Sequence, residues 1–198
     1  MGRPAVFLDR DGVINANVFY PDTGETEAPR GLADYRILPG ALDAMLQLQQ
    51  AGFLLFLISN QPNQAKRKAA QLDHAEIHAY LLSRLHAKEI SLKEAFYCFH
   101  HPNGVDPVLS GPCKCRKPSP YFLFIAAKRY DVSLRESWMV GDRDTDILCG
   151  RAAGVRTIRV DDGTGHCEVH ADVCASDLPE AARIIISGSR RPHFQQDG

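Results

Sequence analysis

Four aspartates lie in two acidic segments that are far apart in the sequence. Asp9 and Asp11 flank a single arginine, and Asp142 and Asp146 lie in a run that reads Gly-Asp-Arg-Asp-Thr-Asp. A carboxylate can attack phosphorus without first losing a proton, so Asp9 is a candidate nucleophile. Asp11 is a candidate general acid/base, which would protonate the leaving oxygen and later activate water. These residues predict the hydrolysis of a phosphate monoester.

The same four carboxylates predict a bound cation. Two unit charges ~4 Å apart repel by about 4 kcal/mol at an effective dielectric of 20, so such a cluster needs a counter-ion. Oxygen ligands suit Mg²⁺, which also bridges to phosphate. The alternative is that these aspartates only cap helices. We favour that interpretation for one aspartate alone, but not for the whole set.

Two further residues offer groups that bind a phosphoryl group. Ser59 supplies a hydroxyl and nearby backbone N–H groups, and Lys117 supplies a positive charge. Each also has a simpler interpretation in isolation. Ser59 would then be a turn residue after a strand, and Lys117 a solvated surface lysine.

Three of the six cysteines lie near a histidine, in the order Cys98, His100, Cys113 and Cys115. One residue separates the members of each pair, and twelve separate His100 from Cys113. A Cys₃His set is typical of a closed structural zinc site, which would order the loop 98–115. The alternatives are unrelated side chains or redox-active thiols. A disulfide framework is disfavoured, because a cytosolic enzyme of this size does not need one.

The remaining histidines and cysteines carry weaker signals. His101 is an alternative ligand to His100, or a residue that supports the site or contacts the substrate. We interpret Cys149 as a core residue and Cys174 as part of a buried strand. Core or surface positions, rather than a second metal site, are predicted for His166, Cys167, His170 and Cys174.

Predicted strands and helices alternate along the chain. The strands cover residues 5–8, 53–58, 95–99, 138–140, 155–160 and 171–174. The helices cover residues 41–50, 73–88, 119–130, 144–153 and 178–186, with Asp73 and Ser119 as N-caps. This α/β order predicts a Rossmann-like parallel sheet with helices on both faces. The stretch 13–38 has no predicted element and is interpreted as a functional or disordered loop.

The predicted sheet should bring the candidate residues together. Ligands of such sheets bind at the carboxyl ends of the strands. Asp9, Ser59, the Cys/His loop and Asp142 each follow a predicted strand directly. We therefore expect them to meet at one edge of the sheet.

Length and charge narrow the protein class. The 198 residues suit one domain, expected over 1–186, with a disordered polar tail over 187–198. The net charge of -1 argues against a nucleic-acid or anionic-membrane partner. No apolar run reaches the roughly 18 residues of a membrane-spanning helix. The N-terminus lacks the features of a signal peptide, so we expect a cytoplasmic protein, and we expect a monomer.

Four segments resemble the ordered motifs of the haloacid-dehalogenase (HAD) superfamily: residues 9–15, 59–61, 116–118 and 141–146. The resemblance extends over about residues 5–160. It implies a HAD-like phosphatase with Asp9 as nucleophile and Asp11 as general acid/base. It also implies that Ser59 and Lys117 bind the phosphoryl group.

The same resemblance implies a magnesium site. Mg²⁺ would be held by the carboxylate of Asp9, the backbone carbonyl of Asp11 and the carboxylate of Asp142. Asp146 would support the metal.

The cysteine loop narrows the resemblance further. Residues 97–102 and 113–118 are similar to the zinc loop of heptose 1,7-bisphosphate phosphatases, and less similar to the shorter loop of histidinol-phosphate phosphatases. That family is small and nearly capless, which agrees with the absence of a separate cap domain here. Lys66 departs from the family's usual Arg, and Arg143 from its common Lys. These departures bear on the identity of the sugar.

We therefore expect a small sugar-phosphate substrate, most specifically heptose 1,7-bisphosphate. Lys66 and Arg116 predict a binding site for a second anionic group, and Asn60 and Arg143 are further candidate substrate contacts. Histidinol phosphate or another small metabolite is the alternative substrate. A nucleic-acid end phosphatase is disfavoured by the net charge. A non-catalytic protein that binds partners through its zinc loop is disfavoured because it needs no paired acid and base.

Overall fold

The computed structural model describes residues 2–69, 71–161 and 168–189. The eight strands within these ranges are β1 Ala5–Leu8, β2 Val18–Tyr20, β3 Glu25–Glu27, β4 Leu54–Asn60, β5 Leu92–Cys98, β6 Trp138–Gly141, β7 Arg156–Val160 and β8 Val173–Ala175. The five α-helices within them are α1 Ala41–Gln50, α2 Gln71–His86, α3 Tyr121–Tyr130, α4 Asp144–Ala153 and α5 Leu178–Ser189. Two short 3-10 helices cover Leu32–Asp34 and Leu134–Glu136.

Six strands form one parallel sheet in the order β5-β4-β1-β6-β7-β8. Strand β1 lies at its centre, where Phe7 pairs with Phe56 of β4 and with Met139 of β6. The predicted parallel sheet is therefore confirmed. The central position of β1 places the residue that follows it, Asp9, in the middle of the carboxyl edge.

The alternation of side chains along β1 separates two apolar layers. Val6 and Leu8 face one layer, which contains α1, α2 and α5, whereas Ala5 and Phe7 face the other, which contains α3 and α4. All four side chains are fully buried. Burial of each larger apolar side chain contributes roughly 1.5–3 kcal/mol, so the strand is a rigid support for the carboxylates that follow it. Helices on both faces are confirmed.

The stretch 13–38 contains an antiparallel hairpin of β2 and β3 that the sequence did not predict. Each of its strands has only three residues, which is too short for an alternating pattern to be recognised. The hairpin is held by ion pairs instead. Arg30 contacts Asp22 and Glu27 at 2.7 and 2.8 Å, and its guanidinium lies 3.8 Å from the ring centroid of Tyr20.

Several predicted element ends differ from the structure. Helix α2 begins at Gln71, so Asp73 lies in its first turn rather than at the N-cap. Helix α3 has Pro120 rather than Ser119 at its N-cap. Strand β4 continues through Ser59 and Asn60, because these residues pair with β5.

The C-terminal part also differs in detail. Cys174 lies in a strand as predicted, but its side chain is exposed, because β8 is the edge strand of the sheet. Helix α5 continues to Ser189, three residues into the expected tail. Residues 190–198 lie outside the described residues, as do His166 and Cys167. None of the described helices is long and apolar enough to span a membrane.

Candidate active site

The carboxyl ends of the central strands bring the predicted catalytic residues together. Asp9 follows β1 and Asp142 follows β6, and the amide of Asp9 donates to the carbonyl of Val140 at 2.9 Å. Ser59 lies near the end of β4, and Lys117 lies in the loop after β5. All four side chains are buried. Lys117 is therefore not a solvated surface lysine.

Lys117 is the central cation of the site. Its Nζ lies 2.8 Å from Oδ1 of Asp9 and 2.6 Å from Oδ1 of Asp146, and it donates to the carbonyl of Ile58 at 2.7 Å. Burial alone would lower the pKa of Lys117, but the carboxylates of Asp146 and Asp9 outweigh it and raise the pKa. The ammonium is therefore charged at neutral pH and oriented by three acceptors.

Three carboxylates form a cluster that could hold a metal ion. Oxygens of Asp9, Asp142 and Asp146 lie within 4.8 Å of one another. Burial, followed by the charges of Asp9 and Asp146, raises the pKa of Asp142 to about 8. Burial also raises the pKa of Asp9 to about 6, against the lowering effect of Lys117. Without a further cation, Asp142 therefore retains a proton near neutral pH.

Two glycines allow the carboxylates to approach this closely. Gly12 has φ of 81°, and a Cβ atom at that position would lie 2.1 Å from Oδ2 of Asp142. A Cβ atom on Gly141 would lie 2.2 Å from Cβ of Asp146. Any other residue would displace one of these aspartates.

Asp11 is held by three donors that the sequence analysis did not include among the site residues. Its Oδ1 accepts from Arg10 Nε at 3.1 Å and from Asn15 Nδ2 at 2.9 Å, and its Oδ2 accepts from Gln61 Nε2 at 2.6 Å. Gln61 Nε2 also lies 2.8 Å from the Ser59 hydroxyl oxygen. Arg10 is fully buried. This network fixes the orientation of the Asp11 carboxylate at the cavity wall.

The cysteine loop forms a second cluster, which joins the end of β5 to residues 113–115. The three Sγ atoms are 3.3–3.7 Å apart, and Nδ1 of His100 lies 4.0 Å from Sγ of Cys98 and 3.8 Å from Sγ of Cys115. A tetrahedral zinc with Zn–S bonds of ~2.3 Å has S···S edges of about 3.8 Å, so the four donors fit such an ion. Among the described residues, the cluster of donors contains His100 and not His101.

A cavity of about 550 Å³ lies in front of the nucleophile. Its wall includes Asp9, Asp11 and Lys117. The predicted substrate contacts that line it are Asn60, Lys66, Arg116 and Arg143.

The side chains predicted to contact the substrate differ in how many hydrogen bonds and ion pairs they already form within the protein. Oδ1 of Asn60 accepts the backbone amide of Lys117 at 3.0 Å, and Nδ2 of Asn60 donates to the carbonyl of Lys117 at 3.1 Å. Arg116 donates to the carbonyl of His100 at 3.1 Å. Nε of Arg143 lies 3.9 Å from Oδ2 of Asp142. Neither Lys66 nor Arg116 takes part in an ion pair within the described ranges.

Comparisons with known proteins show the family to which this chain is related. A family model described as HAD-hydrolase-like matches residues 114–181. A D-glycero-beta-D-manno-heptose-1,7-bisphosphate 7-phosphatase from Rhodopseudomonas palustris is 34% identical over 157 residues, which cover 79% of this chain and 83% of that protein. The chain belongs to this family of HAD-like phosphatases. An enzyme of the same name from Escherichia coli K12 is 32% identical over 78% of this chain and 76% of its own length.

The fold of this HAD phosphatase is also similar to that of a solved structure. The D,D-heptose 1,7-bisphosphate phosphatase from B. bronchiseptica, complexed with magnesium and phosphate, is 27% identical and superposes with a TM-score of 0.76. The match covers 93% of this chain and 99% of that one. The predicted HAD-like fold is therefore confirmed.

Four residues that contact Asp11 or Asp142 of this phosphatase were given no role in the sequence analysis. They are Arg10, Asn15, Asn17 and Gln61. A signal was available for Arg10, because an arginine between two candidate catalytic aspartates is expected to pair with one of them. For Asn17, which donates to Oδ2 of Asp142 at 3.1 Å, the loop sequence gave no such signal.

Proposed function

We propose that this phosphatase removes the 7-phosphate of D-glycero-D-manno-heptose 1,7-bisphosphate and releases heptose 1-phosphate. The observation that carries the proposal is the distribution of charge in the cavity. Lys117, which lies beside Asp9, would bind one phosphoryl group. Lys66 and Arg116 also line the cavity, and neither has a carboxylate partner among the described residues. A substrate with a second phosphoryl group would supply their counter-charge. The names of the related enzymes support the same substrate.

Other carboxylates in the cavity wall do not cancel these cations. Glu25 and Glu27 pair with Lys68 at 2.8 Å each. Asp144 pairs with Arg159. These acidic groups pair with Lys68, Arg30 and Arg159, and among the described residues none forms an ion pair with Lys66 or Arg116. Both cations therefore remain available to an anionic ligand.

In the proposed reaction, an oxygen of Asp9 attacks the phosphorus atom, and the bond between phosphorus and the sugar oxygen breaks. Asp11 gives its proton to that oxygen. Asp11 then takes a proton from water, which attacks the phosphorus of the aspartyl-phosphate and releases inorganic phosphate. Lys117 holds Asp9 in place and offers positive charge to the phosphoryl oxygens. Ser59, near the end of β4, is proposed as a further donor.

The acidic cluster suits Mg²⁺. Oδ1 of Asp142 is buried and accepts no hydrogen bond within the described residues, as expected for a ligand oxygen. We propose Asp9, Asp142 and the backbone carbonyl of Asp11 as ligands. Asp146 supports them, since its Oδ2 accepts the amide of Arg143 at 3.0 Å and its Oδ1 faces Lys117. Bound Mg²⁺ would neutralise charge on the phosphoryl oxygens.

We further propose that Cys98, His100, Cys113 and Cys115 bind a structural zinc ion. The spacing of their donor atoms supports this proposal, as does the low content of apolar side chains in the loop. Zinc would fix the backbone of His100, whose carbonyl accepts from Arg116. A cytoplasmic, monomeric enzyme stays a prediction from the sequence.

The test is a screen of phosphate release from sugar phosphates, with Mg²⁺ and with EDTA. Heptose 1,7-bisphosphate should give the highest kcat/KM, and EDTA should abolish turnover. Histidinol phosphate and hexose phosphates are the comparison substrates. Preference for any of them over the bisphosphate would overturn the proposal.

A further inference from the structure

The backbone of His101 is fixed by its own loop. Its amide donates to the carbonyl of Leu109 at 3.0 Å. Its carbonyl accepts from the amides of Gly104 and Gly111 at 3.0 and 3.2 Å. These three bonds hold the residue independently of its side chain.

The ring of His101 is fixed as well. Nδ1 accepts the amide N–H of Asn103 at 3.1 Å, so the lone pair of Nδ1 is in use. A neutral imidazole carries its proton on the other nitrogen, which makes Nε2 a donor. Within the described residues, no group accepts a hydrogen bond from Nε2. The proposed zinc ligand is Nδ1 of the neighbouring His100, which lies 4.0 and 3.8 Å from Sγ of Cys98 and Cys115.

The ring lies in the wall of the catalytic cavity. His101 lines the cavity of about 550 Å³ together with Lys66 and Arg116. The carbonyl of Ala65 accepts the amides of Val105 and Asp106 at 2.8 and 3.1 Å, so the cysteine loop is hydrogen-bonded to the loop that carries Lys66. The three side chains therefore share one part of the wall.

We propose that Nε2 of His101 donates a hydrogen bond to the distal phosphoryl group of the substrate, beside Lys66 and Arg116. The inference rests on the proposed function and deepens it, because it names a neutral donor that selects bisphosphates over monophosphates. A fixed tautomer suits this role, since the donor is already oriented when the anion arrives.

Two variants separate this role from a structural one. In His101→Gln, the side-chain amide places an N–H donor near the position of Nε2. In His101→Asn, the side-chain oxygen can still accept the amide of Asn103, but the distal donor is lost. A binding role predicts that the Gln variant retains the preference for the bisphosphate and that the Asn variant loses it. A structural role predicts the reverse.

The measurement compares kcat/KM for heptose 1,7-bisphosphate and for heptose 7-phosphate. His101→Asn should lower the ratio of the two by about 10-fold, which is typical of a lost hydrogen bond to a charged group. The inhibition constant of heptose 1-phosphate should rise by a similar factor, whereas that of inorganic phosphate should not change. His101→Gln should resemble the wild type in the kcat/KM ratio and in the inhibition constant of heptose 1-phosphate.

An equal loss on both substrates, or wild-type behaviour of His101→Asn, would overturn the inference. Zinc content and thermal stability are measured for each variant. If His101→Asn loses zinc, His101→Gln decides alone, because an impaired Gln variant contradicts the binding role. Absence of bisphosphate turnover in the wild type would instead refute the proposed function.

Discussion

Nζ of Lys117 lies 2.8 Å from Oδ1 of Asp9, so the candidate nucleophile is ion-paired before any substrate binds. The same ammonium contacts Asp146, and all three groups are buried. A buried ion pair contributes little net stability as a pair, but removal of one partner leaves an uncompensated charge. Lys117 therefore links catalysis to the folding of the site.

Lys117→Met should lower the free energy of unfolding by about 3–5 kcal/mol in the absence of Mg²⁺, because two buried carboxylates lose their cation. Urea unfolding measures the change. The matched control is Lys88→Met, since Lys88 forms a partly exposed pair with Asp43. An exposed pair contributes only about 0–1 kcal/mol. Equal losses in the two variants would contradict the central role of Lys117.

Asp9→Asn should abolish phosphate release and retain the fold, because the amide is not a nucleophile for phosphorus. Asp11→Asn should slow the reaction and trap aspartyl-phosphate, which mass spectrometry detects as phosphorylated protein. Asp43→Asn, which changes an exposed aspartate, is the control and should be active. Near-normal turnover by the Asp9 variant would refute the mechanism.

Mg²⁺ affinity should fall as the pH falls from about 8 to about 6. The raised pKa values of Asp142 and Asp9 mean that the folded, metal-free protein retains protons that the unfolded chain releases. The metal-free protein therefore loses stability as the pH rises through this range. Mg²⁺ competes with those protons and should release them. Calorimetric titration at several pH values measures the Mg²⁺ affinity, and its comparison in two buffers measures the proton release. A pH-independent affinity would contradict the assignment.

The purified protein should contain about one zinc ion per chain, which a strong chelator removes with a loss of thermal stability. Cys115→Ser should abolish zinc binding, because it removes one of the four donors. Cys174→Ser, which changes an exposed cysteine of β8, should not. Metal analysis of freshly purified protein measures the zinc content of the wild type and of both variants. Protein that is stable without zinc and has freely reactive thiols would exclude the site.

Arg116→Ala should reduce the preference for the bisphosphate over heptose 7-phosphate by about 10-fold or more, since a charge-assisted hydrogen bond is lost. The parameter to measure is the ratio of kcat/KM for the two substrates. Arg129→Ala is the control, because Arg129 is an exposed residue of α3 that pairs with Glu94. An unchanged ratio in the Arg116 variant would remove the argument for a second phosphoryl site.

The sequence predicted the sheet and the residues at its edge because both depend on local patterns. The strand Ala5–Leu8 is a short apolar run, and Asp9 follows it directly, so its position at the carboxyl edge could be inferred. The network around Asp11 could not, because Gln61 is fifty residues away in the chain. The hairpin of β2 and β3 was also missed, because ion pairs and not an apolar pattern hold it in place.

The main-chain carbonyl of Ala65 accepts hydrogen bonds from two amides of the cysteine loop, and this has a consequence for how the enzyme can be redesigned. Bonds between backbone groups do not depend on which side chain the next position carries. Residue 66 can therefore be exchanged without loosening the frame that supports it. Here it is Lys, where the resemblance to heptose bisphosphate phosphatases implies Arg. A library at this single position should alter the preference for bisphosphates over monophosphates at little cost in folding, and it is the natural starting point for directed evolution.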